Sequence, residues 1–120
     1  MNFQNAGAIC ATIGIALGAF GAHALKESLS SNGMLDAWET AVLYHLIHAV
    51  SLFLLAAIDA SHPIERARLA MGLWLAGIVL FSGSLYGLAL TQWSLLGPIT
   101  PIGGLCFMAG WVVLALPRKA

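Results

Sequence analysis

The sequence predicts an all-α polytopic membrane protein, four transmembrane helices in an antiparallel bundle, and three observations carry that prediction. Only ten of 120 residues are charged (five Lys and Arg, five Asp and Glu). From Leu69 to Pro117 there is no Asp, Glu, Lys or Arg, a run too long to bury in a small soluble domain and long enough for two crossings of ~20 residues each. The mean hydropathy of +0.90 lies well above that of soluble domains. Residues 1–120 are accordingly read as one four-helix membrane domain.

The first helix is expected at about residues 6–25. It lacks a basic leading segment and is followed by three more apolar stretches, so it reads as a retained span and not a cleaved signal. A polar connector with Ser28, Ser30, Ser31, Asn32 and Gly33 follows. The second helix is placed at about 35–60 and is closed by a connector carrying Asp59, His62, Pro63, Glu65, Arg66 and Arg68. The third is placed at about 66–90. The turn residues Gln92, Gly97, Pro98 and Pro101 divide the uncharged run, which leaves a fourth helix at about 101–116.

Four spans put both termini and the 59–68 connector on one side. That side holds Arg66, Arg68, Arg118 and Lys119 against Lys26 on the other, so both termini are expected in the cytoplasm. Trp38 and Trp93 fall near the outer boundary and Trp74 and Trp111 near the inner one, where they read as interface anchors. Gly14 with Gly18, and Gly83 with Gly87, form G-x-x-x-G pairs suited to close helix approach.

Net charge is zero and nothing resembles a basic footprint, which excludes nucleic acid as a partner. Cys10 and Cys106 lie in separate apolar segments without metal-binding spacing, so neither a disulfide nor a zinc site is expected.

Polar residues at membrane depth are the candidate ligand-binding set: His23, Glu39, Thr40, Tyr44, His48, Ser82, Ser84, Tyr86 and Thr100. Ionisable groups in a membrane are costly and face the bundle interior or water. Thr40, Tyr44 and His48 share one face at i, i+4, i+8, and at 1.5 Å per residue His48 lies roughly 15–20 Å deep. All four helices thus offer polar groups to the outer half. The alternative is that each Ser, Thr, Tyr or His bonds a helix carbonyl or a neighbouring helix. His45 and His48 could share an ion with His23 or Glu39, but no third ligand is assured, so no metal and no other cofactor is expected. Ser84 with His48 is a conceivable nucleophile and base. Without a nucleophile elbow, H-E-x-x-H, P-loop or dinucleotide fingerprint, however, the chain is not expected to be an enzyme and no catalytic residue is assigned.

Five ordered motifs carry a resemblance: Gly18-Ala19-Phe20-Gly21-Ala22-His23-Ala24-Leu25; Thr40-Ala41 with Tyr44 and His48-Ala49; Phe81-Ser82-Gly83-Ser84-Leu85-Tyr86; Thr100-Pro101-Ile102-Gly103-Gly104; and Gly110-Trp111. Over nearly the whole chain they resemble the domain of unknown function 423 family, which includes YgdD-like bacterial inner-membrane proteins and eukaryotic transmembrane protein 256. The resemblance implies a small integral membrane protein with four helices, in the inner membrane for bacterial members, and implies no activity. The leading expectation is a non-enzymatic accessory protein in the lipid bilayer that self-associates or binds another membrane protein through the glycine faces of helices 1 and 3. The alternative is binding or transport of a small molecule, lipid or protons through an outer-half pocket containing His23 and His48. The first helix holds no acid like that of the small multidrug transporters, which weakens drug–proton exchange.

Overall fold

The computed structural model describes residues 2–118, and among these every regular element is helical. Four helices are long and apolar enough to cross a membrane: Phe3–Ala22, Leu35–Ser61, Ala67–Thr91 and Ser94–Ala115.

The first span, α1 (Phe3–Ala22), starts three residues earlier than expected because Asn2 caps it, its Oδ1 accepting from the Asn5 N–H at 2.7 Å. It also ends three residues earlier. His23 leaves helical geometry, and the Leu25 N–H reaches back to the Phe20 carbonyl at 2.8 Å. The connector that follows is not simply a polar loop. It contains a short helix, α2 (Lys26–Ser31), which turns Leu29 inward until it is 1% exposed beneath Trp38 and Ala89. Gly33 then takes φ +70°, and the Met34 N–H closes onto the Leu29 carbonyl at 2.8 Å. This left-handed exit is open to glycine at little cost and turns the chain back into the membrane.

The second span, α3 (Leu35–Ser61), stops where Pro63 removes a donor and Asp59 Oδ1 accepts the Ile64 N–H at 2.8 Å. Arg66, at φ +67°, donates from Nη1 to the Pro117 carbonyl at 3.3 Å, which ties the connector to the end of the fourth span. Lys119, counted above with the basic residues at this end, lies outside the described residues.

The third span is α4 (Ala67–Gly77), a π-helical turn (Ile78–Ser82) and α5 (Gly83–Thr91), all in one continuous helix. The wide turn has its signature in the Gly83 N–H bonding the Ile78 carbonyl five residues back. After a 3₁₀ turn (Ser94–Leu96), α6 runs from Ile99 to Ala115. It begins two residues before Pro101, since a proline in the first turn gives up an N–H that has no intrahelical acceptor in any case.

The central element is α3, with α1 packed on one side and the third span on the other, while α6 packs on α4 and the π turn. Glycines set these distances. Along α1, Gly7, Gly14 and Gly21 recur every seven residues and all meet α3. A Cβ on Gly7 would lie 2.7 Å from the Phe53 nitrogen, so the two backbones touch there. On α6, Gly103 sits against the backbone of Leu80 and Phe81 in the π turn. Gly14 and Gly18 therefore face α3 of the same chain and are not the free docking face expected of them, whereas Gly83 is exposed and Gly87 faces Leu96.

Two of the four tryptophans are corrected as well. Trp38 and Trp74 are each 1% exposed and belong to the core, because Gly21 and Gly110 leave room for their indoles. Trp93 and Trp111 keep 56% and 46% of their surface exposed.

Candidate functional site: a hydrogen-bonded polar interior

The buried face of α3 is Trp38, Ala41, His45, His48, Ala49, Leu52 and Leu55. Its small residues admit neighbouring helices, and its histidines reach across to them.

His45 is 3% exposed and bridges three spans. Its Nε2 lies 2.7 Å from the Cys10 carbonyl of α1, and its Nδ1 lies 2.8 Å from the Tyr86 hydroxyl of α5. A carbonyl only accepts, so Nε2 carries the proton, and Nδ1 accepts from the Tyr86 O–H. Tyr86 is held in turn by its ring, tilted against Trp38 with centroids 4.9 Å apart. Trp38 Nε1 donates to the Leu17 carbonyl at 2.9 Å, a second polar tie between α1 and α3.

His48, 4% exposed, takes the opposite tautomer. Its Nδ1 lies 2.8 Å from the Tyr44 carbonyl and therefore donates, while its Nε2 accepts the indole N–H of Trp111 at 3.0 Å. The ring stacks on Phe107 at 3.8 Å between centroids. Trp74 and Trp111, 4.4 Å apart, complete an aromatic cluster around it. Within this cluster Trp74 Nε1 is buried without a hydrogen-bond acceptor, the one such side-chain atom among the described residues.

The hydroxyls finish the cross-linking. Ser82 is fully buried and donates to the Ala41 carbonyl at 2.7 Å. Ser84 donates to the Phe81 carbonyl at 2.9 Å, which leaves its oxygen to accept from the Thr100 hydroxyl at 2.6 Å. That bond ties α5 to α6.

The nine candidate residues are therefore not gathered round one pocket. His48, Ser82, Ser84, Tyr86 and Thr100 are divided among separate bonded groups, each spent on a helix neighbour. His23, Glu39 and Thr40 are exposed, and Tyr44 is 41% exposed, stacking on the aromatic cluster from outside. Glu39 instead lines a groove of about 290 Å³ with Gly18, Gly21 and Leu43. Among the described residues no three His, Cys, Asp or Glu side chains come together as a metal would require. His45 and His48 cannot share an ion, since their rings serve different neighbours. His45 is the interior residue that the nine-residue set leaves out. A signal for it existed: it lies on the stripe of small residues, Ala41 and Ala49, whereas Thr40 and Tyr44 share their side of the helix with Leu43 and Ile47, which face lipid.

Residues 17–104 match the family described as "Protein of unknown function (DUF423)". A UPF0382 membrane protein of Bacillus subtilis, YwdK, is 46% identical over 111 residues, which cover 92% of this chain and 89% of the relative. A UPF0382 membrane protein of Haemophilus influenzae is 43% identical over 84% of this chain and 80% of its own length. One from Schizosaccharomyces pombe is 32% identical over 95% of this chain and 98% of its own. No solved structure matches the chain.

Proposed function

The chain belongs to the DUF423 family of membrane proteins, and from that premise we propose that it acts without catalysis, by associating with itself or with another protein of the bacterial inner membrane. Both termini lie in the cytoplasm in this reading, because Arg66, Arg68 and Arg118 share the terminal end of the bundle while Lys26 stands alone at the other.

One observation carries the proposal. The interior histidines have both ring nitrogens engaged by other groups of the same chain, and Ser82, Ser84, Thr100 and Tyr86 are engaged likewise. Imidazoles committed in this way lock helices together and keep no ring proton or nitrogen lone pair for a substrate, and the hydroxyl protons are spent on neighbours within the chain. The capacity for interaction then rests with the outer surface, where lipid or protein covers exposed Ile9, Ile13, Leu105 and Met108.

The test is photo-crosslinking from lipid-facing positions such as Ile13 and Leu105 in native membranes, followed by native mass spectrometry of the extracted protein. A reproducible oligomer or a complex with a second membrane protein is expected. A protein that stays monomeric in lipid at its natural level and captures no neighbour would overturn the reading.

A further inference from the structure

We propose that the terminal end of the bundle holds a binding site for the headgroup of a zwitterionic aminophospholipid. At this end α1, α3 and α4 diverge around small side chains, Ala6, Ala56 and Ala60, and leave two adjoining cavities of about 230 and 350 Å³. The first is lined by Gln4, Asp59 and Arg68, and the second by Ala6 and Leu75, while Asn2, Phe3 and Arg68 belong to both. The first carries both signs of charge. The second shares Asn2 and Arg68 with it, has no acid, and adds the apolar Ala6 of α1 and Leu75 of α4.

That division matches the division of a phospholipid. Arg68 has the Phe3 ring 5.4 Å beneath its guanidinium, which orients it, and among the described residues it makes no ion pair, so its donors are free for a phosphate. Asp59 spends one carboxylate oxygen, Oδ1, on the Ile64 N–H. Its Oδ2 is free to accept from a primary ammonium. A phosphate alone would meet repulsion from Asp59, and an amine alone would meet Arg68; a headgroup carrying both satisfies both, with the Asn2 and Gln4 amides beside it. An acyl chain then runs past Ala6 and Leu75. The terminal end is at headgroup depth in any four-span arrangement, and only the assignment to the cytoplasmic leaflet rests on the orientation proposed above.

Native mass spectrometry after reconstitution in mixed phosphatidylethanolamine, phosphatidylcholine and phosphatidylglycerol decides the matter. The wild-type protein should retain phosphatidylethanolamine over phosphatidylglycerol by roughly tenfold, on the order of one charge-assisted contact. The Asp59→Asn variant keeps an oxygen for the Ile64 N–H and should lose that preference, whereas Arg68→Gln should lower retention of all three lipids. Equal retention of the three by the wild-type protein, which needs no variant to read, would overturn the proposal. So would a preference unchanged in Asp59→Asn. Oligomer mass is read separately in the same spectra, so failure of the lipid site and failure of the association reading are distinguishable.

Discussion

An imidazole at membrane depth is tolerated when both of its nitrogens are occupied, and His45 and His48 meet that condition with opposite tautomers. The partner dictates the tautomer in each case: a carbonyl at Nε2 of His45, and an indole N–H at Nε2 of His48. Trp111 has no second acceptor, so the His48–Trp111 bond should be a measurable coupling between α3 and α6. A double-mutant cycle of His48→Phe and Trp111→Phe, followed by unfolding in detergent, should return about 0.6 kcal/mol, the average for interhelical hydrogen bonds in membranes, and at most ~1.7 kcal/mol. Additive losses would mean that the bond contributes nothing and that the Tyr44 carbonyl and the stacking on Phe107 hold the ring. Five of the nine polar residues picked from the sequence, His48, Ser82, Ser84, Tyr86 and Thr100, bond between helices, while His23, Glu39, Thr40 and Tyr44 are exposed, and the grouping was not legible at all. A helix offers several overlapping faces, and the one through Thr40, Tyr44 and His48 is as regular as the one through Ala41, His45 and Ala49. What separates them is the small side chains of the second, which let another backbone come close.

At the scale of elements, the seven-residue recurrence of Gly7, Gly14 and Gly21 keeps one bare stripe of α1 against α3 along its whole length, as a coiled seam requires. A search for glycines four apart finds Gly14 and Gly18 but misses this longer repeat, and it picks Gly83 and Gly87, of which Gly83 faces outward. The π turn was likewise not legible, because nothing in Ile78–Ser82 departs from ordinary helix-compatible residues; it is Gly103 of α6, pressed on the backbone of Phe81, that accompanies it. These environments predict opposite outcomes for one substitution. Gly103→Ala should cost about 1–3 kcal/mol through overpacking. Gly83→Ala, whose new methyl would find only the Ile78 carbonyl at 3.8 Å, should be neutral or stabilising by up to ~1 kcal/mol. Thermal unfolding of both variants in one detergent compares them. A Gly103→Ala variant as stable as the unsubstituted protein would show that the α6 contact with the π turn is not tight.

The whole molecule measures 55 × 26 × 20 Å, so its long axis exceeds a hydrocarbon core of ~30 Å and both ends reach the headgroup layers. The number of spans was plain from charge alone, since a charge-free run from 69 to 117 must turn once. How the spans sit against each other was not, because apolar faces in lipid carry little preference for one neighbour over another. The orientation is the property of this scale still to be measured. Arg66 on the Pro117 carbonyl and Arg68 over Phe3 join both termini and the second connector into one end, so a single assay orients all three. In a background without the native cysteines, a cysteine at Ser30 in α2 should react with an impermeant maleimide added outside intact cells. One at Glu65 should be protected until the membrane is opened. The reverse pattern would put the arginines outside and refute the charge argument for this chain. If that argument holds, the orientation is set by few charges: replacing Arg66, Arg68 and Arg118 by Gln leaves one lysine for each side, Lys26 against Lys119, and with the bias removed a substantial fraction of molecules should expose position 65 instead of position 30.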